Sequence, residues 1–99
     1  MIIVAGKVTL RPGALAPLRP AMKAMVAASR AEKGCLAYHY GPDMSDPDSF
    51  LVLEKWESRA AFGAHLETPH LKAWRAALLG AGLVSRDLVA VDASQAEIV

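Results

Sequence analysis

Ninety-nine residues make one domain, with a core over about residues 2–92 and a tail over 93–99, and such a chain buries roughly two thirds of its unfolded surface without staples. Eleven basic and ten acidic residues leave a net charge of +1, too weak a field to gather nucleic-acid phosphates or anionic lipid, so neither is an expected partner. One cysteine forms no internal disulfide, no Cys/His run has zinc-ligand spacing, and no basic leader or long apolar run appears, so no metal and a cytoplasmic location are expected.

Ile2 to Arg11 alternates as a first strand, with Ile2, Val4, Gly6, Val8 and Leu10 on one face and Ile3, Ala5, Lys7 and Thr9 on the other. Pro12-Gly13 ends it as a turn. Leu15, Leu18, Met22, Met25 and Ser29 then recur at three-and-four spacing, which predicts an amphipathic helix stopping before Gly34. Pro17 and Pro20 place its regular start near one of those prolines, because proline is tolerated only in a first turn. A second strand covers about Cys35 to Gly41, with Leu36, Tyr38 and Tyr40 on one face and Cys35 as a small buried strand residue. Pro42 to Asp48 is dense in turn formers and predicts a loop.

Phe50, Val52, Glu54 and Trp56 alternate with Leu51, Leu53, Lys55 and Glu57 as a third strand. Ser58 breaks the period and N-caps a short helix over about Arg59 to Leu66. Thr68-Pro69 opens another, to about Leu79, since proline lacks only an N–H that would be unpaired there. Gly80 and Gly82 stop it, and Leu83 to Asp92 is a fourth strand.

The order β-α-β-β-α-β, with the second α split, predicts a ferredoxin-like α+β fold: a four-stranded antiparallel sheet with helices on one face. The first, third and fourth strands are apolar on both faces, and 54% hydrophobic content exceeds what one core needs, so the uncovered face predicts a homodimer. Lys7 and Glu54 are expected to pair on that face, with Phe50 and Trp56 beside Glu54 in the dimer core or at its rim.

His65, three residues after Phe62 at the edge of an apolar stripe, is the leading general-base candidate, because a neutral imidazole accepts a proton near pH 7. His70, at the second position of its helix, is as well suited to capping as to chemistry. Trp74 shares the last helix's apolar stripe with Leu71 and Leu78, and Tyr38 is the best hydroxyl for orienting a ligand. Arg75 and Lys72 read as a solvated helix face. No Gly-rich phosphate loop and no G-x-S-x-G turn is present, so neither nucleotide cofactors nor serine nucleophiles are supported.

The run Phe50-x3-Glu54-x-Trp56-x5-Phe62-x2-His65-x3-Pro69-His70 follows Glu32-x-Gly34-Cys35-Leu36-x-Tyr38 and then Asp43, Asp46 and Pro47. Together they resemble the antibiotic biosynthesis monooxygenase family from Ile2 to about Asp92. The resemblance implies a dimeric α+β barrel, with two sheets face to face and Ser94 to Val99 reaching the partner. It also implies oxidation of a quinol or other dihydroxy-aromatic substrate by O2 without flavin, haem or metal. On that basis His65 is catalytic, and Tyr38, Phe62, Trp74, His70 and Trp56 bind substrate. Backbone N–H groups at the start of the helix opened by Ser58 are further donors for a phenolate.

Two departures narrow the expectation. Polyketide-tailoring members carry an asparagine and a tryptophan one turn apart where this chain has Ala61 and His65, which favours general quinol oxidation over anthrone oxygenation. In haem-degrading relatives the first-strand asparagine, helical tryptophan and axial histidine correspond here to Gly6, His65 and Arg75, and a charged guanidinium cannot ligate iron. Two alternatives stand beside it: an isomerase of a small carbonyl signal metabolite, as some relatives of the fold imply, using the same His65, and a non-catalytic dimeric binding or stress-response module.

Overall fold

Alternation along the first strand sets the layers. In the computed structural model, which describes all 99 residues, β1 (Ile2–Leu10) buries Ile2, Val4, Val8 and Leu10 against helices and turns Ile3, Ala5, Lys7 and Thr9 the other way. The chain continues through α1 (Leu15–Arg30), β2 (Cys35–Asp43), β3 (Asp46–Trp56), α2 (Arg59–Leu66), α3 (Pro69–Ala81) and β4 (Leu83–Asp92). The strands form one antiparallel sheet in the order β2-β3-β1-β4, the expected ferredoxin-like arrangement. No helix is long and apolar enough to cross a membrane.

The parity of β3 is opposite to the expected one. Register opposes Val4 to Glu54 and Ile2 to Trp56, and directly opposed residues share a face, so Phe50, Val52, Glu54 and Trp56 all point under the helices. All four are buried there. Lys7 opposes Leu51 and faces the other way, so the expected Lys7–Glu54 pair does not form. Lys7 Nζ instead reaches Asp43 Oδ2 at 3.1 Å and Asp46 Oδ2 at 3.7 Å. Phe50 and Trp56 accordingly belong to the core of one chain, where the helices supply the apolar roof such rings require.

Two further differences concern prolines. Residues 42–48 are not a loop: β2 and β3 run to a tight turn at Met44–Ser45, closed by Asp43 Oδ1, which accepts from Ser45 N–H at 3.0 Å and from its hydroxyl at 2.8 Å. Pro42 is tolerated because β2 is an edge strand, and Pro47 because it lies beyond the last residue of β3 that pairs with β1. Likewise α1 begins at Leu15, with Pro17 in its first turn and the exposed Pro20 inside. The N–H that Pro20 lacks would have sat on the wet side of the helix.

At Gly6 the pairing of β1 with β4 leaves no room for a side chain. With φ +154°, a Cβ built there would lie 1.9 Å from the Asp87 carbonyl oxygen. On the uncovered face, Ala5 sits between Leu53 and Val89, with exposed Leu51 and Val91 nearby, forming a solvent-facing apolar patch. Gly6→Ala is expected to destabilise the fold by at least about 2 kcal/mol, read as a lower urea midpoint. Gly41→Ala, where an added Cβ meets nothing within 4 Å, is expected to move it by less than about 0.5 kcal/mol.

Candidate active site

The split helix delivers the two histidines. Ser58 Oγ accepts the Ala61 N–H at 3.1 Å and starts α2, so that His65 falls on the inward face of its last turn. Thr68 then restarts the chain as α3: its hydroxyl donates to the His65 carbonyl at 2.7 Å and accepts the Leu71 N–H at 3.4 Å. His65 and His70 are thereby brought to a single oxygen, Glu32 Oε2, which lies 2.7 Å from His65 Nδ1 and 2.7 Å from His70 Nε2.

A carboxylate only accepts, so both imidazoles donate to Glu32. His65 therefore carries its hydrogen on Nδ1 and presents a lone pair at Nε2. That nitrogen lies 3.4 Å from the Tyr38 hydroxyl and 3.8 Å from Glu54 Oε1. Burial pulls the His65 pKa below its usual 6.5, against a smaller upward pull from Glu32, so the ring is neutral at pH 7. Burial pushes Glu54 up, opposed by the Trp56 indole N–H, which donates to Oε1 at 3.0 Å. Burial also raises Tyr38 far above the ordinary phenol and Tyr40 to about 12, so both keep their protons as donors. The two hydroxyls are 3.1 Å apart.

These groups form the polar floor of a cavity of about 210 Å³ between α2, α3 and the sheet. Its walls are mostly apolar, with Phe50, Phe62 and Trp74 the largest rings, and its exposed lining residues, Arg86, Val89 and Ala90, put the mouth over β4. The volume is below the roughly 300 Å³ at which sites for drug-sized ligands begin, so it suits one or two fused rings. The Trp74 indole N–H is buried without a hydrogen-bond partner. A second cavity, of about 220 Å³, lies between α1 and β2 and shares Tyr40 and Phe50 with the first.

Of the residues singled out in the sequence, His65, Tyr38, Phe62 and Trp74 meet at this cavity. Trp56 and His70 do not line it. Trp56 is fully buried with its ring 4.6 Å from that of His65, and His70 lies on the Glu32 side. The first residues of α2 are also absent from the walls, and Ser58 already occupies the Ala61 N–H. Cys35 is half-buried and its thiol is pushed up by burial, the condition of an inert side chain.

Five polar residues of the site were not assigned to it from sequence: Glu32, Tyr40, Glu54, Arg75 and Arg86. Glu32 and Glu54 stand inside the family-like runs, and that placement was the available signal. Glu32, His65 and His70 offer three donor atoms within 4.8 Å of one another. Their 2.7 Å contacts are those of shared protons, whereas tetrahedral ligands about 2.0 Å from an ion would stand roughly 3.3 Å apart, so an ion would have to spread the trio.

The family profile described as "Antibiotic biosynthesis monooxygenase" matches residues 1–77, across α2 and most of α3. The chain belongs to that family. Among curated relatives, sll1783 of Synechocystis is 33% identical over 69 residues, covering 70% of this chain and 47% of its own length. The protein named "Probable quinol monooxygenase YgiN" of Escherichia coli is 53% identical over 34 residues, 34% of this chain and 33% of its own length. The matched stretches thus span about half or less of these relatives. A solved structure from Deinococcus radiodurans bearing the same family designation superposes with a TM-score of 0.90 at 29% identity, covering 100% of this chain and 98% of that one. Rv0793 of Mycobacterium tuberculosis superposes at 0.80 with 27% identity over 92% of each.

The Glu32 hydrogen bond favours the imidazolium form of His65, so Glu32→Gln is expected to move the His65 midpoint in an NMR titration further below 6.5; an upward move contradicts the assignment. Because native His65 binds its proton less readily than the unfolded chain does, its contribution to stability is present above pH 6.5 and fades as pH falls.

Proposed function

We propose that the chain is a cofactor-independent monooxygenase that oxidises a small quinol or related dihydroxy-aromatic with O2. The carrying observation is the His65 Nε2 lone pair, presented to an aromatic-walled cavity by the hydrogen bond to Glu32 on the opposite nitrogen. His65 takes a phenolic proton, and the resulting phenolate is electron-rich enough to pass one electron to O2. Recombination places one oxygen atom on the ring and the other leaves as water, so quinol plus O2 gives hydroxyquinone plus water. The apolar walls keep bulk water from the reactive intermediate.

A phenol near pKa 10 facing an imidazole below 6.5 leaves a deficit of at least about 3.5 units, or roughly 5 kcal/mol. A base alone is insufficient. The Tyr38 hydroxyl and the unpartnered Trp74 indole N–H are the donors that favour the phenolate. Glu54, 3.8 Å from His65 Nε2, is a second proton acceptor, which suits a substrate that sheds two protons on becoming a quinone. The name carried by the partial match to YgiN supports the quinol class. A carbonyl isomerase would use the same His65–Glu54 pair, and oxygen consumption separates the two readings.

The apolar patch around Ala5, Leu53 and Val89 supports a homodimer through the uncovered sheet face. Leu53→Glu is expected to halve the mass measured by light scattering; a wild-type chain already monomeric removes the dimer. With naphthohydroquinone, oxygen uptake above autoxidation is expected, and His65→Ala is expected to lower kcat/KM by about 10²- to 10⁴-fold. The rising limb of the kcat/KM profile is expected below pH 6.5, following the lowered His65 pKa. Undiminished uptake in His65→Ala would remove the assigned base.

A further inference from the structure

Two arginines in the cavity lining have nothing to hold. Arg75 on α3 and Arg86 on β4 line the cavity from two different elements, and neither takes part in a salt bridge or a side-chain hydrogen bond. Arg30, by contrast, donates to the Tyr38 carbonyl at 2.8 Å, and Lys7 and Lys72 are both paired with carboxylates. The one acidic residue in the lining, Glu54, is engaged by the Trp56 indole and lies more than 4.0 Å from either guanidinium.

Arg75 is half-buried on the helical stripe that carries Leu71, Trp74 and Leu78. Withdrawing a guanidinium from water beside apolar groups is costly unless an anion accompanies it. The chain places no carboxylate within 4.0 Å of Arg75. Its charge is nonetheless central to the site, since it acts on Glu54, His65 and Tyr40 together. We propose that the substrate carries a carboxylate on its ring system, held at the cavity mouth by Arg75 and Arg86, an inference that rests on reading this cavity as the substrate site.

A planar carboxylate accepts two parallel N–H bonds from a guanidinium fork, which fixes orientation as well as charge. With that group at the mouth, the ring enters between Phe62, Trp74 and Tyr40 and directs its hydroxyl toward His65 and Tyr38. The arginines are then positioning residues for the ring, and selectivity falls on charged over neutral dihydroxy-aromatics.

Calorimetric titration with two non-oxidisable probes, naphthoate and its neutral amide, tests this without turnover. Naphthoate is expected to bind at least about tenfold more tightly than naphthamide, with a preference that shrinks as salt is raised. Arg75→Gln and Arg86→Gln are each expected to weaken naphthoate several-fold and leave naphthamide within about twofold, while Arg75→Lys retains part of the preference. Equal binding of the two probes, absence of binding by both, or arginine variants that weaken both alike would overturn the anion site. Charge-selective binding without oxygen uptake would overturn the monooxygenase reading and leave the anion site standing. Oxygen uptake with no preference between carboxylated and neutral hydroquinones would do the reverse.

Discussion

One oxygen atom, Glu32 Oε2, receives hydrogen bonds from two imidazoles that the chain carries 33 and 38 residues downstream. Glu32 follows the end of α1, His65 lies in the last turn of α2 and His70 in the first turn of α3, so this small junction ties together the segments that roof the sheet. It also decides which nitrogen of His65 looks into the cavity. Were the proton on Nε2, the ring would offer the substrate a donor, and the apolar hollow beneath the helices would contain no neutral base.

Burial does the remaining electrostatic work. It keeps Tyr38 and Tyr40 protonated, pulls His65 toward its neutral form and pushes Glu54 in the same direction. The inner end of the cavity thus sets the neutral Tyr38, Tyr40 and His65 beside one acidic group, Glu54, and full positive charge appears only at Arg75 and Arg86. That arrangement sets the positive charge apart from the dry interior, where hydrogen bonds are electrostatically stronger than in water.

Most of the architecture was legible because strand and helix periods changed cleanly at Ser58 and Thr68, where capping residues announce themselves in the chain. His65, Tyr38, Phe62 and Trp74 were legible through the family resemblance, with spacing that set His65, Phe62 and Trp74 on or beside apolar helical stripes. The side of β3 was not. Leu51 and Leu53 are as apolar as Phe50 and Val52, so alternation alone could not tell which set lies under the helices, and Glu54 was consigned to the wrong face with Trp56. Glu32 and Arg75 were illegible in another sense: one acts through contacts far along the chain, and the other joins Arg86 of β4 only in the lining of the folded cavity. The hairpin at Met44–Ser45 escaped notice because prolines that break an interior strand are harmless at an edge.

The stacked rings of Tyr40 and Phe50, with centroids 4.9 Å apart, form a partition between the two hollows on the helical side of the sheet. The length of any molecule held in the first hollow is therefore limited by a bulkhead two side chains thick. Trimming Tyr40 would merge the chambers into one gallery with room for elongated polycycles, while the junction of Glu32, His65 and His70 stays as it is.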